Sequence, residues 1–234
     1  MSLVRSTTPS LLPSTRCLPG RSHPGPGSPT TETQHVVTGN KLLGPIPAGF
    51  ETATFGMGCF WCSEGHFAFL AKTPNSGIYR TRVGYSQGTT PNPTYEEVCS
   101  GQTNHAEVVQ IVYDPNVRSF ASLLKDFWEL HNPTTYMRQG NDMGTQYRSG
   151  IYYENENQKH LAEVSRDVYQ KTLQANGVAG EISTEIEELR NFFPAEEYHQ
   201  QYEMKPGSRQ YCGLRPTGVS LPNFWKRVFM SGRD

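Results

Sequence analysis

The feature that most limits how this chain can fold is the alternation, from Phe50 onward, of short strand-like runs with longer segments of helical period. Glu51 to Gly56 reads as a strand ended by the glycines around Met57. Cys59 to Lys72, carrying Phe67, Phe69 and Leu70, reads as a helix. Thr81 to Tyr85 and the Val- and Ile-rich Ala106 to Tyr113 read as strands. Between Ser119 and His131, Phe120, Leu123, Leu124, Phe127 and Trp128 recur at helical spacing behind a serine cap. Ser149 to Tyr153 is a further strand. Glu156 to Ala175 is a long polar helix with an apolar stripe, closed by Asn176-Gly177. Glu181 to Glu187 alternates as a strand, and Pro194 is expected to open a short helix through Tyr202. Interspersion of this kind predicts an α+β fold, a mixed sheet with helices packed against it.

Residues 1–48 have a different composition. They are rich in Pro, Ser, Thr and Gly, and carry Arg5, Arg16 and Arg21 with no acidic residue before Glu32. Such a stretch is expected to be a disordered extension or a targeting segment. That leaves the address cytoplasmic or mitochondrial. Residues 49–222 form the expected folded domain, with a Gly- and Pro-bearing C-terminal segment from about 205 suited to swinging, and 223–234 a tail. A formal net charge of −1 among 234 residues gives no electrostatic footprint for nucleic acid. No apolar run reaches the roughly 18 residues of a membrane span. The five cysteines, Cys17, Cys59, Cys62, Cys99 and Cys212, are odd in number and widely spread, unlike a secreted disulfide framework.

The densest chemistry lies in Gly56-Met57-Gly58-Cys59-Phe60-Trp61-Cys62. Glycines before the cysteine allow a sharp turn and leave room for a ligand. A cysteine opening a helix meets free N–H groups and the positive end of the macrodipole, both favouring thiolate. An inert small residue is the commoner reading of such a cysteine, so the rest of the sequence has to decide.

Gly58-Cys59-Phe60-Trp61 resembles the signature of the A-type peptide methionine sulfoxide reductases. Further matching blocks follow in order. They are Asn92-Pro93-Thr94-Tyr95-Glu96-Glu97-Val98-Cys99-Ser100-Gly101, His105-Ala106-Glu107-Val108-Val109 and Met137-Arg138-Gln139-Gly140-Asn141-Asp142 with Gly144-Thr145-Gln146-Tyr147-Arg148-Ser149. Tyr198-His199-Gln200-Gln201-Tyr202 and Tyr211-Cys212-Gly213 complete the set. The resemblance implies a two-layer α/β sandwich with a ferredoxin-like core. It also implies a monomer that reduces methionine S-sulfoxide, free or in oxidised proteins and peptides, with no metal or bound cofactor. Thioredoxin, or dithiothreitol in its place, would be the reductant.

On this resemblance Cys59 attacks the sulfoxide sulfur and becomes a sulfenic acid. Glu107 supplies a proton to the oxygen, and Tyr95 and Tyr147 hydrogen-bond it. A general acid contributes about 10²–10⁴-fold, but a carboxyl donates at neutral pH only if desolvation raises its pKa, so Glu107 is expected to be buried. Phe60 and Trp61 would line a pocket for the substrate methyl group. Asp142 matches a residue of the substrate pocket. His199 reads either as a hydrogen-bonder behind the site or as a surface residue. Cys212 matches the cysteine that captures the sulfenic acid as a disulfide. Cys62 offers a rival capture one helical turn away. Cys99 reads as a buried structural thiol. The family's further cysteine is lacking in Gly218-Val219-Ser220-Leu221-Pro222. Three other readings stand beside this one. They are a Cys-x-x-Cys dithiol oxidoreductase, a zinc module on Cys59, Cys62, Cys99 and His105, and a non-catalytic reader of oxidised methionine.

Overall fold

The structure, a computed structural model, describes residues 8–208 and 212–223. Its frame is a six-stranded sheet. In chain order the elements are β1 (Glu51–Met57), α1 (Phe60–Leu70), β2 (Ile78–Ser86), α2 (Tyr95–Cys99), β3 (Ala106–Tyr113), α3 (Phe120–Leu130), β4 (Arg138–Gln139), β5 (Asp142–Met143), β6 (Ser149–Tyr153), α4 (Glu156–Ala175), β7 (Glu185–Glu188) and β8 (Phe192–Pro194). The sheet runs β7-β6-β1-β3-β2-β8, while β4 and β5 form a separate two-stranded ribbon. Each of the central β6-β1-β3-β2 strands is antiparallel to its neighbour, and α1 and α3 connect them as two split βαβ units. That is the ferredoxin-like arrangement. β7 adds parallel to β6 at one edge.

Strand alternation assigns the faces. Ala53, Phe55 and Met57 of β1, Val109, Ile111 and Tyr113 of β3 and Ile151 of β6 turn to one side. There they meet Phe67, Phe120, Leu124, Phe127, Trp128, Leu161, Tyr169 and Leu173 of the helices. Every residue of β3 is buried, as a central strand covered on both faces requires. Register extends the helix-covered face to Tyr85 and Glu107, which are paired across β2 and β3, at the end of the sheet where β1 runs into α1.

Most helix limits follow the chain's own signals. Ser119 caps α3 by accepting from the Ser122 N–H at 3.2 Å. α4 ends on a Schellman motif, in which Gly177, at φ 74°, donates to Gln174 and Val178 to Leu173. Two expectations fail. No helix spans 194–202: β8 ends at Pro194, and two 3-10 turns follow at Glu197–His199 and Tyr202–Met204. Gln200 and Gln201 prevent a helix by bonding elsewhere. The Gln200 amide caps both backbone groups of Val83 at 2.9 Å, and Gln201, in the left-handed region at φ 46°, donates twice to Glu64. Conversely, α2 forms where no helix was anticipated. Thr94 and Glu97 make a reciprocal capping box at its start.

Of the stretch expected to be a disordered or targeting extension, residues 8–48 are described. Residues 8–48 form a strap with little regular structure, laid along the domain. Leu12 exchanges two hydrogen bonds with the Asn104 side chain, Arg21 forks onto Glu97, and Leu42 is fully buried. Arg80 donates to the carbonyl oxygens of Lys41 and Gly44. The strap meets its polar requirements with distant side chains, which composition cannot reveal. No described helix is long and apolar enough to cross a membrane.

Candidate active site

Cys59 is the N-cap residue of α1, placed there by Gly58. Gly58 has φ 90°, and a Cβ on it would lie 2.5 Å from the Gln139 Cβ, so conformation and space both demand glycine. The Cys59 carbonyl accepts from the Ser63 N–H at 3.3 Å, opening the first helical turn.

Glu107 lies directly beneath. Its residue is 2% exposed, and its Oε2 accepts the Phe60 N–H, the amide that follows Cys59, at 3.0 Å. Burial pushes its carboxyl up to about 8. The Phe60 N–H works against that shift and the Asp142 charge adds to it. Glu107 therefore carries its proton at neutral pH, with one oxygen committed to the backbone and the other left for a ligand.

The two tyrosines come from separate elements. Tyr95 opens α2, and its N–H is held by Glu196 Oε1 at 2.9 Å. Tyr147 ends the 3-10 turn Thr145–Tyr147 that leads into β6. Burial, foremost, raises both phenols. Each feels the Glu107 charge, Tyr95 is also hydrogen-bonded to Cys99, and Tyr147 also feels Cys59. Both hydroxyls thus stay protonated donors. Asp142, on the β4–β5 ribbon, is raised by burial, with Arg215 opposing; its Oδ2 is buried with no hydrogen-bond partner among the described residues. It is electrostatically coupled to Glu107 and Tyr147.

An aromatic wall closes one side. Phe60, 1% exposed, packs between Tyr85 and His199 with centroids at 5.9 and 5.1 Å. Trp61 stacks on Tyr202 at 4.0 Å and 12°, and its Nε1 donates to His199 Nδ1 at 2.9 Å. His199 is wholly buried and is a hydrogen-bonder behind the site. Glu196, which the sequence reading did not single out, accepts from both the Tyr85 hydroxyl and the Tyr95 amide. Its signal was its place three residues before His199.

The sulfur chemistry gathers on α1. Cys62 is buried, and its Sγ accepts the Gly213 N–H at 3.2 Å. Its hydrogen bond with Cys212 favours the thiolate. The hydrogen bond with Cys59 and burial outweigh that and push the thiol up to about 12. Cys62 therefore stands between Cys59 and Cys212. Cys212, exposed, is raised chiefly by its contact with Cys62 and then by burial of its sulfur. Tyr211 lies outside the described residues. Leu214 and Leu221 anchor the following segment in the core, and Leu221 N–H donates to Glu129.

Two earlier readings change. Cys99 is exposed at the end of α2 and touches the Tyr95 hydroxyl; it is not a buried structural thiol. The zinc reading loses His105, whose Nδ1 accepts the Gly88 N–H while Nε2 meets the Thr90 carbonyl at 2.7 Å. Among the described residues, no group of three or more His, Cys, Asp or Glu could hold a metal ion.

Comparison with known proteins points one way. The family model described as "Peptide methionine sulfoxide reductase" matches residues 51–226. A curated relative from Rhodospirillum centenum, "Peptide methionine sulfoxide reductase MsrA", is 53% identical over 95% of this chain and 96% of its own. Methionine sulfoxide reductase A of Corynebacterium diphtheriae is similar in structure, with a TM-score of 0.76 and 40% identity, covering 92% of this chain and 100% of its own. Mxr1 from Saccharomyces cerevisiae in reduced form gives a TM-score of 0.62 at 34% identity, covering 75% and 97%.

Proposed function

The chain belongs to the peptide methionine sulfoxide reductases of the MsrA type, and from that premise we propose that Cys59, Glu107, Tyr95 and Tyr147 carry out the reduction. Membership makes the protein a methionine sulfoxide reductase and sets aside a non-catalytic reader. The observation that carries the assignment of roles is the hydrogen bond from the amide after Cys59 to a buried, protonated carboxyl.

Cys59 attacks the sulfoxide sulfur as thiolate. The sulfoxide oxygen takes the Glu107 proton while the two phenols hold it. The bond from Cys59 to the substrate sulfur and the substrate S–O bond then break as the protonated oxygen moves to Cys59, which becomes a sulfenic acid while methionine leaves. Preorganised donors in a desolvated site stabilise the charge developing on oxygen. Trp61 with Phe60 behind it forms the apolar wall for the methyl group, and Asp142 orients the substrate. The S epimer is the proposed substrate.

Cys212 then closes a disulfide with Cys59, and thioredoxin reduces it. The exposure of Cys212 and its contact with Cys62 support that order. Cys62 is the alternative capture, favoured by its contact with Cys59. The working unit is proposed to be a monomer with its catalytic domain in 49–222, acting in cytoplasm or mitochondrion.

Cys59→Ser is expected to release no methionine from a sulfoxide peptide. Residual turnover would remove Cys59 as nucleophile. Cys212→Ser is expected to release one methionine per enzyme and then stop with thioredoxin as reductant. Mass spectrometry of the disulfide formed after one turnover distinguishes Cys59–Cys212 from Cys59–Cys62.

A further inference from the structure

We propose that Glu203 accepts the proton that Cys212 gives up as its sulfur closes on oxidised Cys59. It would thus serve the resolving half of the cycle as Glu107 serves the reducing half. The inference rests on the reading of Cys212 as the resolving thiol.

Glu203 sits in the 3-10 turn Tyr202–Met204, with its carboxyl pressed onto α1 at Gly65. A Cβ at Gly65 would lie 2.1 Å from Glu203 Oε2 and 2.8 Å from its Cδ, so only glycine admits the carboxyl there. Gly65 follows Cys62 by three residues and so lies on the same helix face. Cys62 in turn holds Cys212. The Glu203 carboxyl and the Cys212 sulfur are electrostatically coupled, and burial, then that coupling, raises Glu203 to about 7. A base is most effective when its pKa lies near the working pH, and the Cys212 thiol, itself raised, does not ionise unaided. Among the described residues, Cys62 on α1 and Arg215 act on the Cys212 sulfur, and Lys205 on the same turn as Glu203 is coupled to Glu64 and Glu197.

The step balances. The Cys212 S–H proton passes to Glu203, and the Cys212 sulfur forms the S–S bond. Solvent first reprotonates Glu107 after methionine has left; the Cys59 S–O bond then breaks, and the oxygen leaves as water with that proton from Glu107. Solvent then restores the Glu107 proton and removes the one on Glu203. The Cys212 sulfur is oxidised and the sulfenic sulfur reduced.

The test is a single turnover with a sulfoxide peptide and no reductant. Sulfenic acid is trapped with a dimedone-type reagent and the disulfide is followed by mass spectrometry, each normalised to the methionine burst. In the wild type, disulfide formation should slow as pH falls through about 7. Glu203→Gln should be slower by roughly 10-fold or more at pH 7 and lose that inflection, with sulfenic acid accumulating. Glu203→Asp should recover part of the rate. A Glu203→Gln enzyme with the wild-type rate and pH profile overturns the proposal. Cys212→Ser separates the two ideas. If it forms a disulfide as fast as wild type, Cys212 is not the resolver and the proposal falls with that reading. If it is slow while Glu203→Gln is fast, Glu203 alone falls.

Discussion

At the scale of single residues, Glu107 does two opposed things. As a buried acid with a raised pKa, it keeps a proton in the folded protein that the unfolded chain releases near pH 4.5. Its contribution to stability is therefore unaffected below that value and worsens as pH rises toward about 8, where the folded carboxyl also ionises. The single-turnover rate should fall as pH passes through about 8, because the proton donor is lost. Glu107→Gln keeps an acceptor for the Phe60 N–H but cannot supply a proton. We expect it to slow methionine release by about 100-fold or more. Its melting temperature relative to wild type should climb between pH 4.5 and 8, with thermal denaturation at several pH values as the check. Gly58 is the second sensitive position. Gly58→Ala should destabilise the fold by about 1–3 kcal/mol and displace Cys59. A chemical-denaturation midpoint equal to wild type would contradict that.

Among elements, those that were legible in sequence owe their form to signals within them. β3 was readable because a Val- and Ile-rich run, interrupted only by Glu107 and Gln110, suits a strand buried on both faces. α3 and α4 were readable because stripe, cap and terminator agree. α2 was readable but unread, since Thr94-Tyr95-Glu96-Glu97 spells a capping box. What could not be read was structure held from outside. The strap is fastened by Asn104, Glu97 and Arg80, and the 194–202 segment is kept from a helix by glutamines that bond β2 and Glu64. The site divides the same way. Cys59 and Glu107 of the proposed site are nominated by motif and resemblance, while Glu196 gains meaning only where it holds the Tyr95 amide, and Glu203 only in the proposed proton transfer from Cys212. Arg21 and Glu97 tie strap to α2 at 2.7 Å. The Arg21 hydrogen bond, first, holds the Glu97 carboxyl below its usual range. Its contribution is thus complete above about pH 4.5 and is lost as pH falls through the lowered folded value. Glu97→Ala removes both cap and tie. It should lower stability by about 1–2 kcal/mol at pH 7 and by less in more acidic solution, as urea unfolding at the two pH values would report.

Over the whole molecule, one buried carboxylate joins segments that are remote in sequence. Glu64 accepts from Thr81, which meets His35 of the strap at 2.9 Å, and from the amide and side chain of Gln201. Strap, sheet, helix and the turn before Cys212 therefore share a single polar knot, whose separate opening would strand a fully desolvated group. The amides of Gln201 and Leu42 should consequently exchange with deuterium on one common timescale set by global unfolding. Faster exchange at Leu42 alone would mean that the strap peels away independently. If the knot holds, a protease meeting the native protein finds neither the strap around His35 nor the turn at Gln201 an easy point of entry.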